Sequence, residues 1–272
     1  MEILFCGTSA AEAWPALFCE CAVCVEARIR GGKDIRSRAA YMLDDRVRID
    51  FGPDSNYHHH KYGLALDRLE HLLVSHSHDD HWFPRDLMYR EKGFSVVPST
   101  PLRVWGNDAV ERRFVESNGD DWARYGLEFH QITTWKSIDL GQGVTATPIL
   151  AAHDPKEECV NYRIEAGGRA ALFGHDTGWY AESTWGFLES KPLNVVVLDC
   201  TYGSRNHDRG HLGCADVVRA RDELARRGSL APNARVFATH FSHNGGWLHE
   251  DLERFLTPHD VAVAFDGLRI TL

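Results

Sequence analysis

Residues 72–82 read Leu72-Leu73-Val74-Ser75-His76-Ser77-His78-Asp79-Asp80-His81-Trp82. An apolar run with the composition of a buried strand passes directly into three histidines and a carboxylate, and Pro84 just beyond is placed to open a helix. Three imidazoles and a carboxylate at a strand-to-helix turn can converge on a small volume, and borderline cations such as zinc favour this mixture of nitrogen and oxygen donors. A polar surface loop accounts for one histidine, but poorly for His-x-His-x-Asp-His directly after a strand. Further donors stand at the ends of other apolar runs. His153 follows Val144–Ala152, Asp176 follows Ala170–Phe173, and His240 follows Val236–Thr239.

Around these runs, period-two patterns predict strands at Ile3–Phe5, Ala39–Leu43, Arg46–Phe51, Leu72–Ser75, Leu102–Trp105, Gly143–Leu150, Val160–Glu165, Ala170–Phe173, Asn194–Asp199, Val236–Thr239, Val261–Phe265 and Leu268–Leu272. Helical spacing predicts Pro84–Lys92, Asp108–Glu116, Tyr180–Ser190, Ala215–Arg227 and Gly246–Leu256. Early hairpins followed by mixed strands and helices imply an α/β protein with two sheets sandwiched by helices. No repeat or linker composition divides the chain, so residues 1–272 are expected to form one domain.

The 272 residues carry a net charge of −9, with Lys and Arg dispersed, which excludes a general grip on nucleic acid through a basic face. No apolar run reaches the roughly 18 residues of a membrane span, and the first residues lack the basic region of a signal peptide. Seven cysteines, an odd count, argue against a fully paired disulfide framework. A cytoplasmic location without membrane partners is expected.

The ordered series of Asp50 in Asp50-Phe51-Gly52, the 76–81 block, His153, Asp176 and His240 resembles the five metal-binding motifs of the metallo-β-lactamase-fold hydrolases. Within them the chain is most similar to the phosphonate-operon cyclic phosphodiesterases, relatives of ribonuclease Z. It shares an N-terminal cysteine cluster, Leu198-Asp199-Cys200, Thr239–His243 and Phe265-Asp266-Gly267. The resemblance covers essentially the whole chain and implies an αββα sandwich of two mixed sheets flanked by helices. It implies that His76, His78 and His153 hold one metal, that Asp80, His81 and His240 hold a second, and that Asp176 bridges them. Asp50 would buttress the site by hydrogen bonding. The ligand set accepts zinc, manganese or iron.

Two metals about 3.5–4 Å apart activate a shared water as hydroxide near neutrality. They outweigh the carboxylates of Asp80 and Asp176, so the site favours an anionic ester such as a phosphodiester. The expected function is hydrolysis of small phosphodiesters, cyclic ribose or nucleotide phosphates among them, by this bridging hydroxide. The catalytic candidates are Asp80, as a metal ligand, and His211, as the general acid for the leaving alkoxide. Ribonuclease Z-like relatives carry a histidine at the corresponding position before a helix; His207 competes for the same role. A carboxylic ester hydrolase such as a lactonase is the alternative chemistry on this scaffold. A non-catalytic relative of the cofactor-biosynthesis type is disfavoured, because the donor series is intact. A nucleic-acid polymer is disfavoured as substrate, since the chain shows no basic inserted arm. The parent family often dimerises, which leaves a homodimer open.

Cys19-Glu20-Cys21-Ala22-Val23-Cys24 is a second metal-binding pattern. Three thiolates this close in a reducing compartment are more often a metal site than a disulfide set, with an iron–sulfur cluster or free buried thiols as alternatives. The resemblance supplies His243 as fourth ligand, and so a structural zinc held by Cys19, Cys21, Cys24 and His243. Cys6, Cys159, Cys200 and Cys214 read as small packing residues. His58-His59-His60 is expected in a solvated or substrate-facing loop. Arg36 and Arg38 are candidate phosphate contacts against the commoner outcome of surface arginines. His71 and His249 read as surface or partly buried histidines, and His175 is expected to point away from the site.

Overall fold

Ile3 and Phe5 pack into one apolar cluster and Leu4 and Cys6 into another, although the four are consecutive in one strand. A strand apolar on both faces needs a layer on each, and the computed structural model, which describes residues 1–189, 192–206 and 209–272, supplies them. In chain order the strands are β1 (Glu2–Gly7), β2 (Ala40–Leu43), β3 (Val47–Ile49), β4 (His71–Leu73), β5 (Leu102–Gly106), β6 (Leu127–Gln131), β7 (Ile138–Asp139), β8 (Val144–Leu150), β9 (Val160–Ala166), β10 (Arg169–Gly174), β11 (Leu193–Asp199), β12 (Leu230–Thr239), β13 (Val261–Val263) and β14 (Arg269–Thr271). They form two seven-stranded mixed sheets, ordered β14-β1-β2-β3-β4-β5-β6 and β13-β12-β11-β10-β9-β8-β7. The helices are α1 (Ala22–Arg30), α2 (Ser55–Tyr62), α3 (Asp108–Asn118), α4 (Glu182–Glu189), α5 (Cys214–Arg226) and α6 (His249–Leu256).

The sheets face each other through Ile3, Phe5, Tyr41, Ile49 and Leu73 on one side and Tyr162, Phe173, Val195, Val197 and Phe237 on the other. Val196 and Leu198, the alternate residues of β11, turn outward against Trp185 of α4, Val217 and Leu224 of α5 and Leu252 of α6. On the far side Leu4, Met42, Leu72 and Val104 pack against Val110 and Phe114 of α3 and against Trp82. The result is an αββα sandwich. Full burial of one such Val, Leu, Ile or Phe side chain is worth about 1.5–3 kcal/mol. Among the described residues no helix is long and apolar enough to cross a membrane.

Strand direction creates the functional rim. β3, β4 and β5 pair in parallel, as do β10, β11 and β12, while β8 and β10 both run antiparallel to β9. The C-terminal ends of β3, β4, β8, β10, β11 and β12 therefore carry the segments that bear Asp50, His76, His153, Asp176, Asp199 and His240.

The elements differ from the sequence reading where the pattern is short or is polar on one face. The span predicted as Pro84–Lys92 is a 3₁₀ helix, Pro84–Arg90. Helix α1, which the periodicity does not predict, begins inside the cysteine cluster with Cys21 as its N-cap. The edge strands β6 and β7 were also not predicted; β6 alternates buried and polar residues too weakly to stand out. The predicted end of α4 at Ser190 lies outside the described residues.

Gly52 marks a tight approach beneath the rim. The two loops are stitched together by Phe51 N–H donating to His81 O (2.8 Å) and Phe83 N–H to Phe51 O (2.7 Å). A Cβ on Gly52 would come within 2.0 Å of the Asp80 carbonyl oxygen, a backbone atom that cannot swing aside. Gly52→Ala is expected to cost about 1–3 kcal/mol of stability, read as a lower urea midpoint at unchanged slope; an unshifted midpoint would show that the loops have room to part.

Candidate metal centre

Three of the residues that cap the rim strands adopt left-handed backbone: Asp50 (φ 62°), Asp176 (φ 57°) and His240 (φ 58°). A non-glycine residue held there costs on the order of 1–3 kcal/mol and persists when its surroundings over-determine it. Here the turn sends each side chain back across the strand ends.

The donors predicted for one metal converge. His76 Nε2 lies 3.0 Å from His78 Nδ1 and 3.3 Å from Asp176 Oδ2, and His153 Nε2 lies 3.2 Å from His78 Nδ1. So do those predicted for the other. His81 Nε2 is 3.0 Å from both Asp80 Oδ2 and Asp176 Oδ2, and His240 Nε2 is 3.3 Å from His81 Nε2. Asp176 belongs to both groups, whose donor atoms lie within 4.8 Å of one another in each case. His76, Asp80, His81, Asp176 and His240 are buried, while His78 and His153 are partly open to solvent.

Each imidazole is also held through its other nitrogen, which for His153 faces Asp176 Oδ1 (3.0 Å) as well as an outer partner. His81 Nδ1 is 2.7 Å from Asp50 Oδ2, His76 Nδ1 is 3.0 Å from Ser75 Oγ, and His78 Nε2 is 3.2 Å from Asp154 Oδ2. His153 Nδ1 is 3.0 Å from Gly210 O, and His240 Nδ1 is 2.8 Å from Thr201 Oγ1. Such outer contacts set the tautomer and present the inward nitrogen as a lone pair.

Asp50 stands in neither four-donor group and serves as their support. It accepts hydrogen bonds from Ser75 N–H (2.8 Å) and Ser75 Oγ (3.0 Å) as well as facing His81. His175, expected to point away from the site, instead places Nε2 2.7 Å from Asp50 Oδ2. The alternation that turns it from the metal donors aims it at the carboxylate beneath them.

Burial pushes the Asp50 carboxyl up, but His81 and His175 outweigh it and hold the group below the ordinary carboxylate range. Asp80 and Asp176 are likewise held well below that range, burial being overcome by His81 and His240 for the first and by His240, His211 and His76 for the second. Burial opposes charge on His81, yet Asp80 and Asp50 lift it well above an ordinary histidine. His76 goes the other way, to about 4, through burial and the neighbouring His81 charge.

His211 joins the cluster from the loop before α5. Its Nδ1 lies 3.0 Å from Asp199 Oδ2 and 3.1 Å from Asp176 Oδ1. Burial lowers the imidazole, but Asp199 and Asp176 bring it up to about 11. Asp199 is a positioning residue that sequence reasoning missed, although it ends an apolar strand as the other rim carboxylate Asp176 nearly does. It is fully buried and also accepts from Leu212 N–H (2.8 Å) and Thr201 N–H (3.0 Å). The rival His207 lies outside the described residues. His78, Asp80, His153, Asp176, His211 and His240 all line one cavity of about 340 Å³.

The cysteine cluster forms a second centre. Cys19, Cys21, Cys24 and His243 offer donor atoms within 4.8 Å of one another. His243 Nδ1 is 3.6 Å from Cys19 Sγ and 3.4 Å from Cys21 Sγ. Burial raises the Cys21 thiol, but contact with His243 and neighbouring donors lowers it to about 6, whereas burial takes Cys24 up to about 12.

Other sequence candidates turn out to be structural. The 58–60 triplet is helical, in α2, and not the loop expected: His58 is buried with Nε2 2.7 Å from Ser37 Oγ, while His60 is exposed. Arg36 is neither a surface residue nor a phosphate contact. It is buried, donating to Thr8 Oγ1 (2.8 Å), Ala264 O (2.7 Å) and His249 Nδ1 (2.8 Å), which buries His249 as well. Arg38 pairs with Asp54 at 3.0 Å. His71 is buried and accepts from Trp105 Nε1 (3.1 Å). Cys200 and Cys214, read as isolated packing residues, are buried with their sulfurs 3.4 Å apart.

The model of the beta-lactamase superfamily domain matches residues 45–241, which contain every donor of the rim. The chain belongs to the beta-lactamase superfamily. No curated protein sequence matches it. Among solved structures it is similar to a diphosphatase from the PhnP family (22% identity, TM-score 0.74, 99% of this chain and 96% of that one). It is also similar to Zn²⁺-bound PqqB from Methylobacterium extorquens (16%, TM-score 0.79, all of both chains) and to the short form of human tRNase Z (16%, TM-score 0.63, 100% and 99%). At these identities the likeness is one of fold. Superfamily membership and the converging donors together mark a metal-dependent hydrolase.

Because Asp50 touches the donors only from below, its role can be read in the stability of the protein. Asp50→Asn sets an amide where His81, His175 and Ser75 all need a carboxylate, and is expected to cost about 3–5 kcal/mol of unfolding free energy. Chemical denaturation checks this, and a loss under 1 kcal/mol would mean that the imidazoles find other partners.

Proposed function

We propose that the protein hydrolyses small phosphodiesters, cyclic ribose or nucleotide phosphates among them, at a pair of divalent metals. The observation that carries this reading is the Asp199–His211 pair, set against the rim donors in one cavity.

The donors suit a metal pair. Among the described residues Asp176 Oδ1 is buried and takes no hydrogen bond, although His153 Nδ1 and His211 Nδ1 lie 3.0 and 3.1 Å away. Nitrogen faces nitrogen at 3.0–3.3 Å between His76 and His78 and between His81 and His240. Protons can satisfy only part of such a set, whereas cations satisfy all of it. His76, His78 and His153 would hold one ion, Asp80, His81 and His240 the other, and Asp176 both; zinc, manganese and iron all accept these donors. Bound there, the ions would supply Lewis acidity and lower the pKa of water toward neutrality.

The chain's own contribution is positioning and proton transfer. Asp199 takes the Nδ1 side of His211 and favours its charged form, leaving Nε2 as the nitrogen that gives a proton to the departing alkoxide. An alkoxide from a phosphodiester needs this help, and a nitrophenolate does not. His211→Ala is therefore expected to lower kcat about 10²–10⁴-fold on an unactivated diester, and far less on bis(p-nitrophenyl) phosphate. Equal losses on both esters would show that His211 does not protonate the leaving group. A lactonase would draw on the same rim, and parallel assays with an acyl-homoserine lactone separate the two.

The Cys19, Cys21, Cys24 and His243 set has four protein donors and no place for substrate, as a structural zinc requires. It would tie the start of α1 to the segment after β12. An odd count of seven cysteines, three of them in this set, supports a reducing, cytoplasmic setting. Cys21→Ser is expected to remove one metal equivalent per chain by elemental analysis and to leave the rim ions in place; an unchanged count would abolish the site.

A further inference from the structure

The cavity over the rim donors is also lined by Glu12, Tyr202, Ser242 and Asn244. Glu12 is held there by backbone pairing between the segment after β1 and the segment after His240: Ala10 N–H donates to Phe241 O (3.0 Å) and Phe241 N–H to Thr8 O (2.9 Å). One carboxylate oxygen is fully engaged. Oε1 accepts from Ser242 Oγ and from Asn244 Nδ2 (3.3 Å), and His243 Nε2 stands 3.5 Å away. Oε2 takes no hydrogen bond among the described residues, and the side chain is part-exposed.

The charge pattern of the cavity is polarised. Cations at the rim would attract one anionic group, and no described lysine or arginine lines the cavity to receive another. A second phosphate would lie unpaired beside Glu12, while a neutral hydroxyl would find an acceptor. We propose that Glu12 is a specificity-determining residue, whose Oε2 accepts a hydrogen bond from a hydroxyl on the neutral, sugar-like half of the substrate and repels a second phosphate in that place. The inference rests on the phosphodiester reading above and narrows it to monoanionic diesters of polyols or nucleosides. Specificity here comes from an unfavourable contact with the wrong substrate as much as from a favourable one with the right substrate.

The test compares kcat/KM for nucleoside 2′,3′-cyclic phosphates that bear either a free 5′-hydroxyl or a 5′-phosphate. The wild-type protein is expected to prefer the 5′-hydroxyl form. Glu12→Gln keeps an acceptor for Ser242 and Asn244 but removes the charge, and is expected to narrow that preference about tenfold or more. Most of the change should come from a gain on the 5′-phosphate. Glu12→Asp keeps the charge and is expected to keep the preference. Metal content is measured on both variants, because Glu12 also faces His243, and the comparison is read in zinc-replete protein. An unaltered ratio in Glu12→Gln, or equal narrowing in Glu12→Asp, overturns the role of Glu12. If the wild-type protein turns over neither cyclic phosphate, the phosphodiester reading itself falls.

Discussion

Four groups converge on the buried carboxylate of Asp50: the Ser75 backbone and hydroxyl, His81 and His175. These contacts join β3, β4 and β10, and so both sheets, at a point directly beneath the metal donors. The carboxylate can remain charged in the interior because its neighbours supply hydrogen bonds and positive charge that offset desolvation. In turn it fixes His81, which faces both Asp80 and Asp176. The rim donors come from the ends of four strands, β4, β8, β10 and β12, and Asp50 ties one of these ends to its neighbours through Ser75, His81 and His175.

The same logic recurs around the rim. Asp199 faces both His211 and His240, Asp154 faces His78, and Thr201 contacts His240. Three residues in left-handed backbone show that the site is built against local preference and is held by its surroundings. Stability stored in the sandwich core, where alternate residues of β1 and β11 serve two different layers, is what makes that strain tolerable.

Several misreadings share one cause. His58, Arg36, His249 and His175 are polar residues that pattern reading assigns to the surface or away from the site, yet each is buried and contacts a partner far along the chain. Nothing within a few residues of Arg36 announces Thr8 or Ala264 as its partners. Asp199 was missed for the same reason, because its function depends on His211 twelve residues away and His240 on the next strand.

By itself the sequence determined the layered α/β class and the apolar runs that end in histidine or aspartate, because local periodicity and spacing depend only on neighbours in the chain. The grouping of those residues into two ligand sets, and of His243 with the cysteines, came from the family resemblance. Only the tertiary structure decided which donors meet, which nitrogen of each histidine faces inward, that Asp50 supports rather than joins the cluster, and that Glu12 reaches the cavity. Such facts depend on strand order and direction, which bring together residues as far apart in sequence as Glu12 and Ser242, separated by 230 positions.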